Sequence, residues 1–419
     1  MWWVIGLVLV LAALELGIWI AVKVLKKRFQ WLITPADITP KIDPDLIDKY
    51  CSTSFDPELG WTRKPGTSGE DRTLSDTASY AIDDRGSRRN PGFEGRPATI
   101  AVFGDSFAFC RLVNDDETWP HYLARALDEN VLNFGVGNYG LDQACLRMER
   151  DLPGLDCRMV IRCVVPETMA RIQSYWKHYF EFGNVLAFKP RFTLEGDGLV
   201  LHKSAVRTAD DFRTYEKRAV DIQRLDHFFE RKFLNDVLRF PHIVAVVRRG
   251  RRHIPILWYL VCGLLTGRFE SGRRRAFSVV LRENQRATMR LYADDRARAL
   301  FAALVRRFAQ HVRRAGAEPL LLILPQPIDL DQRDRDQSSY GPLLAELESE
   351  IAVVDMTDRF HAHPNRDRLF VDGPLGPHVS PAGNQIIADA IAAASQRVAP
   401  REHQAPITAY PPRSQAGGR

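Results

Sequence analysis

The chain has 419 residues, of which 45% are hydrophobic and 26% are charged, and its net charge is +6. This length and hydrophobic content predict a globular core in one large domain or two, and they exclude an intrinsically disordered chain. Aromatic interleaving within the basic stretches and a nucleic-acid-binding motif are both missing, so no nucleic-acid partner is predicted.

The first 22 residues are apolar except for Glu15. A segment of this length can cross a bilayer as a helix. No basic region precedes this segment and no small-residue cleavage site follows it, so we predict a retained transmembrane anchor over residues 1–29. A buried core helix is the alternative. Four basic residues directly follow the segment: Lys23, Lys26, Lys27 and Arg28. The positive-inside rule then predicts a single-pass protein of the cell (inner) membrane with its main domain in the cytoplasm.

Residues 30–97 are rich in Pro, Asp, Ser, Thr and Gly. This composition predicts a linker that becomes an extended lead-in packed on the edge of the next domain.

From residue 98 onward, strand-like and helix-like segments alternate. Five short apolar runs predict strands at Thr99–Phe103, Val131–Phe134, Met159–Val165, Leu320–Leu324 and Ile351–Val354. Helical patterns follow at Trp119–Glu129, Asp142–Arg150, Asp295–Arg314 and Pro381–Ala394. Strands separated by helices indicate an α/β fold with a doubly wound, parallel five-stranded sheet between two helical layers, as in flavodoxin-like proteins. The predicted domain covers residues 98–398, and a disordered tail covers 399–419.

An insertion at residues 173–289 interrupts this alternation, and a helical segment is predicted within it. Lys189-Pro-Arg-Phe192 has two interpretations: a site for an anionic or sugar substrate, or a solvated loop that ends in a strand. Further on, a 13-residue apolar run lies between arginine clusters, from Arg248 to Thr266. This run is too short to span a bilayer, and it suits either a helix at the membrane interface or a core helix with solvated ends.

Two polar blocks carry the candidate chemistry. Gly104-Asp105-Ser106 directly follows the first predicted strand, where a serine faces substrate in an open α/β sheet. A turn without catalysis is the alternative. Near the other end, His378 precedes the last predicted helix and could act as general base for Ser106. Either Asp372 or a backbone carbonyl would then fix the histidine tautomer.

In these blocks the sequence resembles the GDSL/SGNH hydrolase family. The opening block matches through Gly104, Asp105 and Ser106, and the closing block matches through Asp372, His378, Ser380, Pro381, Ala382 and Gly383. Between them, residues 133–140 (NFGVGNYG) look like the family's second block, and residues 166–168 (PET) fall where the third block belongs. The resemblance implies an SGNH-hydrolase-like fold and a serine-dependent esterase or O-acyltransferase.

The resemblance also implies an oxyanion hole, and the chain departs from the family at three positions. The expected donors are the backbone N–H groups of Ser106 and Asn138 and the hydroxyl of Thr168. Asn138 stands where the family usually has glycine, and Thr168 stands where it usually has asparagine. The family's acid lies three residues before the histidine, a position held here by Leu375, so Asp372 becomes the candidate acid.

The resemblance and the predicted anchor together imply the substrate class. The expected partners are an acylated carbohydrate or lipid-linked glycan and membrane lipid. The six cysteines show no metal-ligand spacing, and neither the resemblance nor any motif implies a metal or organic cofactor. One alternative is a catalytically inactive SGNH-like protein that binds glycan or scaffolds a membrane assembly. Another is a flavodoxin-like nucleotide or flavin binder, although the Gly-rich phosphate loop is missing.

Overall fold

The structure is a computed structural model that describes residues 1–196, 198–333, 339–374 and 376–396. The predicted tail at 399–419 lies outside these residues. The chain begins with helix α1 (Trp2–Lys26), which is the one described helix long and apolar enough to cross a membrane. The predicted apolar N-terminal helix is therefore present.

Residues 30–97 form small elements that pack on the main body. They are α2 (Pro44–Thr53), β1 (Phe55–Asp56), β2 (Gly60–Trp61), β3 (Ser68–Arg72) and β4 (Thr77–Ala81). The strands pair antiparallel, β1 with β2 and β3 with β4. Helix α2 begins where the Asp43 carboxylate accepts a hydrogen bond from the Asp45 N–H at 2.9 Å.

The main body continues with alternating strands and helices. Its first half contains β5 (Ala98–Gly104), α3 (Ser106–Phe109), α4 (Trp119–Leu127), β6 (Asn130–Asn133), α5 (Leu141–Asp151), β7 (Met159–Val164) and α6 (Thr168–Arg171). Each predicted strand of this half appears within a residue or two of its predicted bounds, because its apolar run is short and ends in turn residues.

The insertion is mainly helical, as predicted. It contains the antiparallel pair β8 (Arg191–Glu195) and β9 (Gly198–His202), then α7 (Ala209–Thr214), α8 (Ala219–Leu225), α9 (Leu234–Asp236), α10 (His242–Arg248), α11 (Gly250–Leu265) and α12 (Phe269–Leu291). A strand follows Lys189-Pro-Arg-Phe192 as one interpretation predicted, since β8 begins at Arg191, but the stretch is buried rather than solvated. The Lys189 side chain is fully buried, forms an ion pair with Asp142 and donates to the Ser174 carbonyl oxygen at 3.0 Å.

The second half completes the alternation. It contains α13 (Asp295–Arg314), β10 (Glu318–Ile323), α14 (Pro327–Arg333), α15 (Gly341–Leu347), β11 (Ala352–Asp355), α16 (Thr357–His361), β12 (Phe370–Val371), β13 (His378–Val379) and α17 (Pro381–Ser395). Helix α13 has its predicted bounds, and its first turn is capped by Asp294, which accepts from the Ala297 N–H at 2.9 Å.

The five core strands form one parallel sheet in the order β11-β10-β7-β5-β6, which confirms the predicted α/β fold. Side chains of β5 alternate between two cores. Ala101 and Phe103 pack on the side of α5 and α13, whereas Ile100 and Val102 pack on the side of α4 and α17. Because all five strands are parallel, the loops after β5, β6 and β7 meet at one edge of the sheet.

Candidate active site at the carboxyl edge of the sheet

Ser106 lies at the point where β5 turns into the short helix α3. Asp105 caps this helix: one carboxylate oxygen accepts from the Phe107 N–H at 2.9 Å, and the other accepts from Arg171 at 2.8 Å. A side chain at Gly104 would collide with the Cys163 carbonyl oxygen of β7, so the turn requires glycine there. The Gly-Asp-Ser turn thus holds the serine hydroxyl at the edge of the sheet.

The structure brings His378 to Ser106, although 272 positions separate them in the chain. His378 Nε2 lies 2.9 Å from Ser106 Oγ. His378 belongs to β13, which pairs with β12, and α17 begins three residues later with Ser380 as its cap. Ser106 and His378 are 6% and 7% exposed, so the pair lies just beneath the surface. This distance allows the imidazole to accept the hydroxyl proton.

The other imidazole nitrogen faces the backbone. His378 Nδ1 lies 3.4 Å from the Gly376 carbonyl oxygen. The Asp372 side chain is exposed and forms no hydrogen bond within the described part of the chain. The structure therefore places the backbone carbonyl, rather than the Asp372 carboxylate, in position to orient the ring.

His378 is held in its neutral form. Burial and the nearby Arg111 guanidinium lower the pKa of His378 from 6.5 to about 4, against smaller opposing effects of the Gly376 carbonyl and the Asp71 carboxylate. Arg111 itself is held by Asp71, with Nη2 2.6 Å from a carboxylate oxygen. At neutral pH the imidazole is therefore free to accept a proton.

Two candidate oxyanion donors have free N–H groups. Among the described residues, neither the Ser106 nor the Asn138 backbone N–H donates a hydrogen bond. Asn138 has a φ of 67°, the left-handed conformation that asparagine tolerates better than most residues, and it is exposed. Trp61 fixes this loop by donating its indole N–H to the Gly137 carbonyl oxygen at 2.9 Å.

Thr168 is brought to the same loop but makes a different contact. Its buried hydroxyl accepts a hydrogen bond from the Leu141 N–H at 3.1 Å, at the first residue of α5. Thr168 therefore joins the third block to the residue that directly follows the second block. Its hydroxyl keeps one proton to donate.

Sequence reasoning missed an ion network behind the serine. Arg171 is 4% exposed and donates to Asp105 at 2.8 Å and to Glu167 at 2.6 Å. Although burial opposes its charge, the Glu167 and Asp105 carboxylates hold the pKa of Arg171 above its usual value. The i,i+4 spacing of Glu167 and Arg171 beside the third block is the signal that could have found this network.

The lead-in also contributes a residue that the sequence did not single out. Arg88 is 2% exposed and donates to the carbonyl oxygens of Phe109, Cys110 and Val113 at 2.6–2.7 Å, and to Asp115 at 2.7 Å. These contacts hold the carboxyl end of α3, the helix that begins with Ser106.

A separate cavity of about 660 Å³ lies between the β8–β9 pair and the start of α13. Arg191, His227 and Arg296 line it, and neither Ser106 nor His378 does. The chemistry proposed below therefore rests on the Ser106 geometry rather than on cavity size.

No family model matches the chain, and no curated protein matches it. Among solved structures, it is similar to a candidate lipolytic protein of the G-D-S-L family from Desulfitobacterium hafniense DCB-2. That match has 11% identity and a TM-score of 0.29, and it covers 71% of this chain and 98% of the other.

Proposed function

We propose that this protein is a membrane-anchored member of the GDSL/SGNH group, a serine-dependent esterase or O-acyltransferase. The observation that carries the proposal is the 2.9 Å contact between Ser106 Oγ and His378 Nε2 at the carboxyl edge of a parallel sheet. The neutral state of His378 and the free N–H groups of Ser106 and Asn138 support it.

In the proposed acylation step, Ser106 Oγ attacks the ester carbonyl carbon and its proton passes to His378 Nε2. The carbonyl oxygen becomes an oxyanion, which accepts hydrogen bonds from the N–H groups of Ser106 and Asn138. Collapse of this intermediate breaks the bond to the leaving alcohol, which takes the proton back from His378. One oxyanion donor is worth about 100-fold to 1000-fold in rate.

The acyl group then leaves the serine by the reverse sequence. Water or a sugar hydroxyl gives its proton to His378 and attacks the acyl carbon, and Ser106 recovers its proton. Hydrolysis and transfer differ only in the acceptor. The proposed substrate is an acyl ester of a carbohydrate or lipid-linked glycan, because the apolar helix α1 would hold the site beside a membrane.

The test of this proposal is labelling of the full-length protein in detergent with a fluorophosphonate probe. Attack by Oγ at phosphorus expels fluoride and leaves a stable adduct, so a labelled protein has an activated serine. We expect Ser106→Ala and His378→Ala to abolish labelling and Ser349→Ala, at an exposed serine, to leave it unchanged. Labelling that survives in Ser106→Ala would refute the proposal.

A catalytically inactive glycan-binding or scaffolding protein is the second candidate. The exposed Asp372 favours it, because the described contacts of His378 include no carboxylate. Absence of labelling in a protein with an intact thermal transition would support this candidate.

The proposed location is the cell (inner) membrane, with a single span and the catalytic domain in the cytoplasm. The support is the cationic stretch after α1, from Lys23 to Arg28. A C-terminal tag that resists protease in intact spheroplasts, and is cleaved after lysis, is the expected result. Cleavage in intact spheroplasts would place the domain outside.

A further inference from the structure

Helix α1 is docked on the inserted helices. Val22 and Leu25, near its carboxyl end, are buried in one apolar cluster with Leu238, Ile256 and Val279. Of the apolar residues before Val22, only Ile18 and Ala21 pack partly against this cluster, and most of the others are exposed. Whatever surrounds α1 therefore also surrounds the parts of the insertion that lie beside it.

The acidic side chain of α1, Glu15, binds the first turn of α10. One carboxylate oxygen lies 2.7 Å from His242 Nδ1 and also accepts the His242 backbone N–H, and the other accepts from the Ile243 N–H at 2.9 Å. These contacts satisfy backbone N–H groups of the first turn, which have no hydrogen-bond acceptor within the helix. In lipid, a lone carboxylate and unpaired backbone groups are both costly, so this pairing suits an apolar environment.

This contact sets the depth of α10. Glu15 precedes Lys23, the first cation after the apolar segment, by eight residues, which is about 12 Å along a helix. Half of the hydrocarbon core of a bilayer is about 15 Å thick. With α1 across a bilayer and Lys23 among the headgroups, the first turn of α10 lies near the middle of the bilayer.

If α10 lies within the bilayer, its outer side chains and those of the neighbouring α11 should include exposed apolar residues, and they do. Phe240, Val244 and Val247, at and just before α10, are 77%, 59% and 69% exposed. On α11, Ile254 and Trp258 are 55% and 65% exposed, and their spacing of four puts them on one face. Large apolar side chains exposed in such number favour a membrane or a partner over water as their surroundings.

Helix α11 lies at the level where α1 ends. Near its start, Arg252 donates to the Trp31 carbonyl oxygen at 2.9 Å. Just beyond its end, the Phe269 ring lies 5.6 Å from the Arg28 guanidinium. Because residues 28 and 31 directly follow α1, both ends of α11 are at the depth of the cationic end of α1. Helix α11 therefore lies along the membrane surface, whereas α10 reaches inward.

The charge of this region matches an anionic surface. Residues 240–282 contain nine arginines and one acidic residue. Six of these arginines are exposed: Arg248, Arg251, Arg268, Arg274, Arg275 and Arg282. Each basic residue near an anionic leaflet contributes about 1 kcal/mol to binding.

We propose that residues 240–282 form a lipid platform, in which α10 enters one leaflet beside α1 and α11 lies among anionic headgroups. The platform is connected to the candidate active site, because α12 contacts α6 and Tyr292, just after α12, donates its hydroxyl to the Pro166 carbonyl oxygen at 2.7 Å. The site is then held in one orientation to the membrane, which a flexible tether on α1 alone would not do. This assignment does not depend on the catalytic proposal.

The test uses the full-length chain in nanodiscs, with the half-buried thiols removed by Cys51→Ser and Cys262→Ser. A single cysteine replaces Phe240, Trp258 or Val220 and carries an environment-sensitive fluorophore. Val220, on α8, is the control, because it is 75% exposed but lies outside the platform. Lipids with a spin label deep or shallow in the acyl chain then report contact and depth.

We expect deep quenchers to reduce the emission at position 240 at least about two-fold, and shallow quenchers to do so at position 258. Quenching at 258 should be stronger with phosphatidylglycerol than with phosphatidylcholine alone, and position 220 should not respond. A fluorophore at Leu9 in α1 reports whether α1 itself is inserted. Quenching at 9 with none at 240 would overturn the platform, and no quenching at 9 would overturn its premise. Equal quenching at 258 in both lipids would overturn the role of the arginines.

Discussion

The rate of the proposed reaction should fall at low pH, because His378 must be neutral to accept a proton. The ion pair of Arg111 and Asp71 should determine the pH at which this acid limb of the pH–rate profile begins. Burial and Arg111 lower the pKa of His378 from 6.5 to about 4. At 1.36 kcal/mol per unit, this shift corresponds to about 3 kcal/mol against the imidazolium. Labelling of Ser106 by a fluorophosphonate needs neutral His378, so its rate should stay constant down to about pH 5 and fall below that.

Two substitutions break the same ion pair and should shift the pKa of His378, and with it the pH at which the labelling rate falls, in opposite directions. Arg111→Gln removes a cation near His378 and leaves Asp71 unbalanced, and both changes raise the pKa of His378. Asp71→Asn leaves Arg111 unbalanced and lowers it. A charge within about 4–6 Å shifts a pKa by about 1–3 units. Because Arg111 is 21% exposed, we expect a rise of about 1 unit in Arg111→Gln.

The measurement is the labelling rate of full-length protein in detergent from pH 4 to pH 8, for the wild type and the two variants. Structural damage from the broken ion pair alone would change both variants in the same direction. Limbs that shift together, or an Arg111→Gln limb that stays in place, would refute the electrostatic argument.

Three further predictions concern the supporting residues. Asp372→Asn should label within about 3-fold of the wild-type rate, since the Gly376 carbonyl faces His378; a loss of 100-fold or more, as expected for a triad acid, would contradict this. Arg88→Leu removes the buried guanidinium that satisfies three carbonyl groups and pairs with Asp115, which keeps only the Ala81 N–H and a 3.9 Å contact with Arg89. The substitution should therefore lower the free energy of unfolding by more than about 3 kcal/mol, measured by thermal unfolding in detergent. The control is Arg89→Leu, at an exposed side chain, which should change stability by less than about 0.5 kcal/mol. Burial raises the pKa of Asp329 to about 7, so its folded form favours the proton and stability is lost as pH rises through 7. Asp329→Asn should therefore raise Tm at pH 8 and leave it unchanged at pH 4, and equal effects at both pH values would be inconsistent with this linkage.

The sheet could be predicted because its strands are short, mainly apolar and bounded by turn residues. Residues 100–103 and 159–165 are buried on both faces, as expected for strands in a parallel sheet covered by helices. The serine and the histidine could also be placed, since each lies in a loop beside such an element. Their meeting at 2.9 Å follows from the parallel topology, which brings the ends of β5 and the chain before α17 to one edge.

The supporting contacts could not be predicted, because they join segments far apart in sequence with no periodic pattern. Arg88 and Asp71 come from the lead-in, whose polar composition resembles a solvated linker. Lys189 belongs to a polar stretch but is buried against Asp142, 47 residues earlier. A buried ion pair requires two charged residues whose individual contexts both predict exposure. Local composition therefore predicts solvent exposure for both residues of such a pair, although both are buried.

The departures from the family pattern differ in their physical consequences. Asn138 adopts a left-handed backbone conformation, which glycine adopts freely and asparagine tolerates. Thr168 supports the backbone of the second block through Leu141. With a carbonyl rather than a carboxylate facing His378, the imidazolium that forms in the proposed reaction gains less stabilisation. More of the transition-state stabilisation must then come from the oxyanion donors, whose position depends on α3, and α3 is held by Arg88. The lead-in is therefore part of the candidate active site.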